Sequence, residues 1–259
     1  MAMEKLKAAL DKARKTRTTP AHPARPAASS KRAPDQHDGQ DALWQALDTF
    51  TVDPRHLETH RVVTHAASEV ATPFDILRTK VLLQMRQNGW KRLAITSPMP
   101  QSGKTTTACN LALGLGRQRD LRAMLFDLDL RDPSVHAFFE TTPPHSIGDL
   151  LTGQADFAQQ GLRIGDNVAV SMSRGPVSDP TRLLLDEQTA GVLDKIEAEY
   201  DPDLMIFDLP SVLVNDDTRA FLKNVDCALI VIRADTTHYS QFNTCEREIA
   251  EQTNVLGVV

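Results

Sequence analysis

The chain has 259 residues, 41% of them hydrophobic, and a net charge of −5. That length buries one substantial core and leaves no room for a second full domain. Nine Lys and Arg against Glu4 and Asp11 leave residues 1–34 at +7, so the remainder carries −12, and an acidic body argues against nucleic acid as the main partner.

No apolar run approaches the roughly 18 residues of a membrane span, and the first residues contain no apolar signal core, so a soluble protein is expected. Cys109, Cys227 and Cys245 lack metal-ligand spacing and fit buried thiols in a reducing cytoplasm.

In chain order, Met3, Leu6, Leu10 and Ala13 recur at helical spacing among basic residues, which predicts a short amphipathic helix over 1–17. Such a segment is suited to folding onto a partner protein or an anionic membrane surface. The stretch 18–68 reads as a largely disordered, basic and Pro-rich linker. Its first part, 18–41, has no large apolar residue to offset the backbone entropy of ordering. Leu43, Trp44 and Leu47 suffice for a docked turn or two, and His56, His60 and His65 are expected to be solvent-exposed rather than metal ligands. One domain is expected over 69–259.

That domain opens with a helix over 74–88, Phe74, Leu77, Val81 and Met85 sharing one face. A buried strand, Leu93 to Thr96, then leads through a loop to Gly103-Lys104-Thr105, where a second helix starts. Strand, loop and helix in this order form a phosphate cradle. Backbone N–H groups and the positive helix end face the anion, Lys104 adds a full charge, and the Thr105 hydroxyl can bind Mg²⁺. Where the common pattern has its first glycine, this chain has Pro98.

Further strands are expected at 122–127, 168–172, 203–209, 228–232 and 256–259. Between them lie a short helix over 146–153, one from Asp179 to Tyr200 with Asp179 as its cap and Pro180 in its first turn, and one over 239–253. Alternation of strands and helices predicts an α/β fold: a P-loop NTPase with a mostly parallel sheet flanked by helices on both faces. Two strands end in carboxylates, at Asp127-Leu128-Asp129-Leu130-Arg131 and at Asp208. Ligands of parallel sheets bind beyond such strand ends. Phosphoryl transfer needs a phosphate cradle, groups to hold Mg²⁺ and one carboxylate free to take the nucleophile's proton.

The run LFDLDLRDP (125–133), with TPFDILRT before the loop, SIGDLLTG, GPVSDPTRLL, YDPDLMIFDLPSVLVND and the terminal LGVV, resembles the bacterial tyrosine kinase family. These are Walker-motif ATPases that regulate capsule and exopolysaccharide synthesis. The resemblance spans 73–259, and MEKLKAALDKAR near the start is similar to the opening helix of exopolysaccharide-locus kinases.

It implies ATP and Mg²⁺ as cofactors and a set of roles. Gln101, Ser102, Gly103, Lys104, Thr105 and Thr106 would surround the phosphates, with Lys104 on the β- and γ-phosphates and Thr105 on Mg²⁺. Asp127 would be the base and Asp129 a metal or phosphate-side carboxylate. Asp208 would act on Mg²⁺ through water, and Arg131 would bear on phosphate charge or a neighbour. The implied partner is a membrane-bound polysaccharide co-polymerase or chain-length regulator, met in the cytoplasm at the inner face of the plasma membrane.

Departures from the family pattern set further expectations. Gln101 replaces a loop glycine and is expected to keep a negative φ. Of the Glu-x-x-Arg-x-x-Arg assembly motif only Arg78 survives, beside Thr72 and Asp75, which leaves a homo-oligomer open. The chain holds two tyrosines, Tyr200 and Tyr239, in place of a tyrosine cluster. The leading function is therefore an ATP-dependent tyrosine autokinase of polysaccharide polymerisation and export. The alternatives are a partitioning-type ATPase switch, whose extra lysine is replaced here by Met99, and a nucleotide-binding scaffold.

Overall fold

A computed structural model describes residues 34–173 and 175–259. Its strands are β1 (Asp48–Phe50), β2 (Arg92–Thr96), β3 (Ala123–Asp127), β4 (Leu162–Ile164), β5 (Val168–Ser171), β6 (Leu204–Asp208), β7 (Cys227–Ile230) and β8 (Asn254–Val258). They form one eight-stranded sheet in the order β1-β4-β5-β3-β6-β2-β7-β8. All neighbours run parallel except β4 and β5.

Every residue of β2, β3 and β6 is buried, as expected where helices cover both faces of a parallel sheet. Side chains alternate between two cores. Ala94, Phe126 and Phe207 enter one; Leu93, Ile95, Leu125 and Ile206 enter the other. The second core is closed by α3 (Thr72–Asn88) and α4 (Lys104–Gly116). Pro73 opens α3, and Gly89, at φ +67°, ends it by donating its N–H to the Met85 and Arg86 carbonyls. The first core is closed by α6 (Ile147–Leu151), α9 (Glu187–Tyr200), α10 (Asp217–Phe221) and α11 (Tyr239–Ala250).

Register aligns the strand ends. Asp127 stands opposite Asp208, Asp208 opposite Ile95, and Thr96 opposite Ile230. The C-terminal ends of β3, β6, β2 and β7 thus share one rim.

Several expectations are corrected. Of the linker expected over 18–68, the part from 34 onward is folded: α1 (Pro34–Ala46), β1 and α2 (Pro54–Thr59) pack on the domain. Trp44 is fully buried, donates its indole N–H to the Tyr200 carbonyl at 2.8 Å, and meets the Tyr200 ring edge-on. The amphipathic helix at 1–17 and the linker's first part lie outside the described residues.

The histidines are half-buried instead of solvent-exposed. His56 and His60 lie ring to ring at 4.8 Å, His60 packs on Phe138, and His56 Nε2 is 2.8 Å from the Ala137 carbonyl oxygen. The helix expected from Asp179 to Tyr200 is two, α8 (Pro180–Leu185) and α9, broken at Asp186. Asp179 sits at φ +50° and makes no cap, whereas Asp186 caps α9 by accepting the Gln188 N–H.

Candidate nucleotide site

The loop after β2 is closed by its own side chains. Ser97 and Ser102 both donate hydroxyl hydrogens to the Met99 carbonyl, at 2.7 and 2.8 Å. Gly103, at φ +92°, starts α4, and its carbonyl accepts the Thr107 N–H and hydroxyl. Among the described residues no side chain caps this helix, so its first N–H groups face the loop without a side-chain acceptor. That is the arrangement an anion completes. Gln101 adopts φ +58°, not the negative value expected, so a non-glycine residue holds the left-handed turn there.

Lys104 is nearly buried, and its Nζ lies 3.3 Å from the Ser211 hydroxyl, which in turn is 3.0 Å from Ser97 Oγ. Thr105 and Ser134 meet hydroxyl to hydroxyl at 3.2 Å. Thr106 follows half-buried, its carbonyl taken by Asn110 Nδ2.

Asp127 and Asp208 close β3 and β6 without solvent exposure, and the Leu128 N–H donates to the Asp208 carbonyl across the strand pair. Asp127 Oδ2 accepts the Ser134 and Val135 N–H groups at 3.0 and 2.9 Å, while Oδ1 is buried with no partner among the described residues. Both Asp208 oxygens are likewise buried and unpartnered; the Thr105 hydroxyl faces that carboxyl but bonds Ser134.

Burial, then the Asp208 charge, pushes the Asp127 carboxyl well above the usual range, against the pull of the Val135 N–H. Burial pushes Asp208 up to about 7, with Thr105 and Lys104 acting against it and Asp129 for it. Asp129 is raised by burial too, with the Lys104 charge opposing. Such shifts cluster where a fold gathers charge for chemistry.

The structure thus brings Lys104, Thr105, Asp127, Asp129 and Asp208 to one rim beside Gln101, Ser102, Gly103 and Thr106. Arg131 is committed elsewhere: its guanidinium grips Asp217. Sequence reasoning missed Ser97, Ser134, Ser211 and Asp217. Ser211 lies three residues beyond Asp208 and Ser134 seven beyond Asp127, so position just past a strand's C-terminal end is the signal that would have found them.

Among the described residues, no three His, Cys, Asp or Glu side chains converge to hold a metal alone. The orphaned Asp208 oxygens and the Thr105 hydroxyl fit a Mg²⁺ that takes its other ligands from phosphate and water, as that ion commonly does.

No family model matches the chain. It is similar to the tyrosine-protein kinase YwqD of Bacillus subtilis, 26% identical over 199 residues, which is 76% of this chain and 83% of YwqD. It is 27% identical over 191 residues to EpsB of Ralstonia nicotianae, a putative tyrosine-protein kinase, matching 71% of this chain and 24% of EpsB. The chain therefore spans about a quarter of that longer relative.

Among solved structures it resembles the chimerical protein CapA2B2 (TM-score 0.69, 22% identity, covering 86% of this chain and 97% of that one). The kinase domain of Escherichia coli tyrosine kinase ETK is similar too (TM-score 0.66, 23% identity, 74% and 75%). More distantly, the fold is shared with cobyrinic acid a,c-diamide synthase from Mycobacterium smegmatis with bound ADP and magnesium (TM-score 0.52, 20% identity, 65% and 71%). Tyrosine-protein kinases thus align with some three quarters of the chain, and its sheet is the fold of a tyrosine kinase domain.

Proposed function

We propose that the chain is an ATP-dependent protein tyrosine kinase that regulates exopolysaccharide or capsule polymerisation and export. The observation that carries this reading is the rim itself: an ammonium, a hydroxyl and three raised carboxyls beside an uncapped helix start.

In this reading the N–H groups of residues 101–106 hold the phosphate oxygens and Lys104 exchanges Ser211 for the β- and γ-phosphates. Thr105 and Asp208 would hold Mg²⁺, which would supply positive charge against the phosphates. Asp127, fixed in orientation by the Ser134 and Val135 N–H groups, keeps Oδ1 free to accept the phenol proton. Asp129, whose charge acts on both Lys104 and Asp208, balances the charge gathered there. Kinase rate here comes from positioning and charge.

The partner in this reading is a membrane-bound co-polymerase. Support comes from EpsB and from ptk of Acinetobacter johnsonii, in which the matched segment is 24% and 22% of a longer chain. None of the described helices is long and apolar enough to cross a membrane. A place at the cytoplasmic membrane face therefore rests on that partner and on the basic segment 1–34.

Transfer of labelled γ-phosphate to an added tyrosine copolymer, with and without the partner's cytoplasmic segment, tests the reading. Labelling is expected with the native chain and lost with Lys104→Met. Hydrolysis of ATP with no phosphotyrosine under either condition overturns it.

A further inference from the structure

The chain contains two tyrosines, and the fold sends them to opposite ends of the sheet. Tyr200 is the last residue of α9, four residues before Leu204 begins β6, so it lies at the N-terminal ends of the parallel strands, away from the nucleotide rim. Its ring is 2% exposed and packed edge-on against Trp44 and Phe157, and burial pushes its hydroxyl up to about 12. A phenol held there reaches no phosphoryl donor without unfolding α1 and α9.

Tyr239 is placed the other way. β7 ends at Ile230, which pairs with Thr96 at the mouth of the phosphate loop, and the Val231 N–H donates to the Thr96 carbonyl at 2.7 Å. The chain then crosses that same rim through 231–238 and starts α11 at Tyr239. The connection is shaped by its own bonds: the Arg233 N–H donates to Thr237 Oγ1, the Thr237 N–H returns to the Arg233 carbonyl, and the His238 N–H is taken by Gln241 Oε1. Tyr239 stands out from this frame 55% exposed, and among the described residues its hydroxyl makes no hydrogen bond.

We infer that Tyr239 is the phosphoacceptor within this chain, an inference that rests on the kinase reading above. Tyr239 Oη attacks the γ-phosphorus of ATP, and an Oη–P bond forms. The bond from that phosphorus to the β–γ bridging oxygen breaks, its electron pair leaving on ADP. The phenol proton passes to a carboxylate and then to solvent. The product dianion sits in the first turn of a twelve-residue helix, where the dipole favours negative charge.

The test incubates the 259-residue chain with MgATP, alone and with the tyrosine copolymer, and maps phosphotyrosine by mass spectrometry. The expected result is phosphate on the tryptic peptide 234–247. Tyr239→Phe is expected to lose self-labelling while still labelling the copolymer and melting at an unchanged temperature. Copolymer labelling with no phosphate on 234–247, or phosphate on Tyr200, overturns the inference and leaves the kinase reading intact. Absence of label on both chain and copolymer removes the kinase reading and this inference with it.

Discussion

Arg131 and Asp217 are locked in a two-point grip: Nε donates to Oδ2 at 2.6 Å and Nη2 to Oδ1 at 3.0 Å. The Thr181 hydroxyl donates to the same Oδ1, so the Asp-x-Asp-x-Arg run, the start of α8 and the start of α10 are pinned by one carboxylate. The partners differ in environment. The Asp217 side chain has no exposure and that of Arg131 has 48%.

The asymmetry makes the two deletions unequal. Arg131→Ala leaves a buried carboxylate without its counter-ion, which typically destabilises by about 3–5 kcal/mol; with Arg131 half in water, about 2–3 kcal/mol is expected. Asp217→Asn leaves a solvated arginine and keeps an acceptor for Thr181, so about 1 kcal/mol is expected. Urea melts of the two variants check this, and equal losses, or a larger one from Asp217→Asn, would refute the clamp.

Asp208 sets a pH dependence. Its carboxyl is raised from 3.8 to about 7 by burial, so between those values the folded chain binds a proton that the unfolded chain has released. Stability from this group is complete below pH 3.8 and lost as pH rises toward 7. Asp127 contributes in the same direction. Asp208→Asn is expected to stabilise the nucleotide-free chain by about 2 kcal/mol at pH 8, with the gain shrinking steadily toward pH 5, while abolishing phosphoryl transfer. Thermal melts of both chains across that range decide it; a pH-independent difference would remove Asp208 as the source.

Much of this was legible in the chain because a buried parallel strand needs a continuous apolar run, and RLAIT, AMLFD and LMIFD carry one each. Their terminal carboxylates could then be placed on a single rim from topology alone. What escaped notice lacked length or pattern. β1 and β4 have three residues apiece, too few for a period, and Trp44 and Leu47 announce a docked turn but not the helix Pro34–Ala46 around them, whose other residues are mostly polar. Asp179 and Asp186 are equally good caps by residue type. Backbone conformation separates them: Asp186 is extended and bonds its helix, and Asp179 is left-handed and does not. Asp217 carries no motif, since only the packing of α8 against α10 brings it to Arg131.

The phosphate loop holds a conformational strain that a single substitution can release. Gln101 at φ +58° occupies a region that disfavours side chains by about 1 kcal/mol, partly offset in glycine by its larger unfolded-state entropy. Gln101→Gly is expected to leave stability unchanged or raised by about 0.5 kcal/mol and to retain nucleotide binding. Gly103→Ala, at φ +92° with open space around the added carbon, is expected to lose about 1 kcal/mol from backbone strain alone. Melting curves together with binding of a fluorescent ATP analogue test the pair. A destabilised Gln101→Gly would show that its side chain, not its backbone, shapes the loop.

Trp44 measures how far the segment before the phosphate-binding core belongs to the fold. Its ring sits in the core with Leu47 and Tyr200, and the Arg122 guanidinium stacks over it while bonding Asp41, so α1 is held by apolar area, a hydrogen bond and a charge at once. Truncation to alanine removes all but the Asp41 contact, and a fully buried tryptophan lost in this way typically destabilises by about 3–5 kcal/mol. Trp44→Phe keeps most of the area but orphans the Tyr200 carbonyl, for about 1–2 kcal/mol. Because Tyr200 ends α9 just before β6, loosening it disturbs the strand that carries Asp208. Nucleotide affinity is therefore expected to fall along with stability in Trp44→Ala. An alanine variant as stable as the parent would mean that α1 rests on the domain without being part of it.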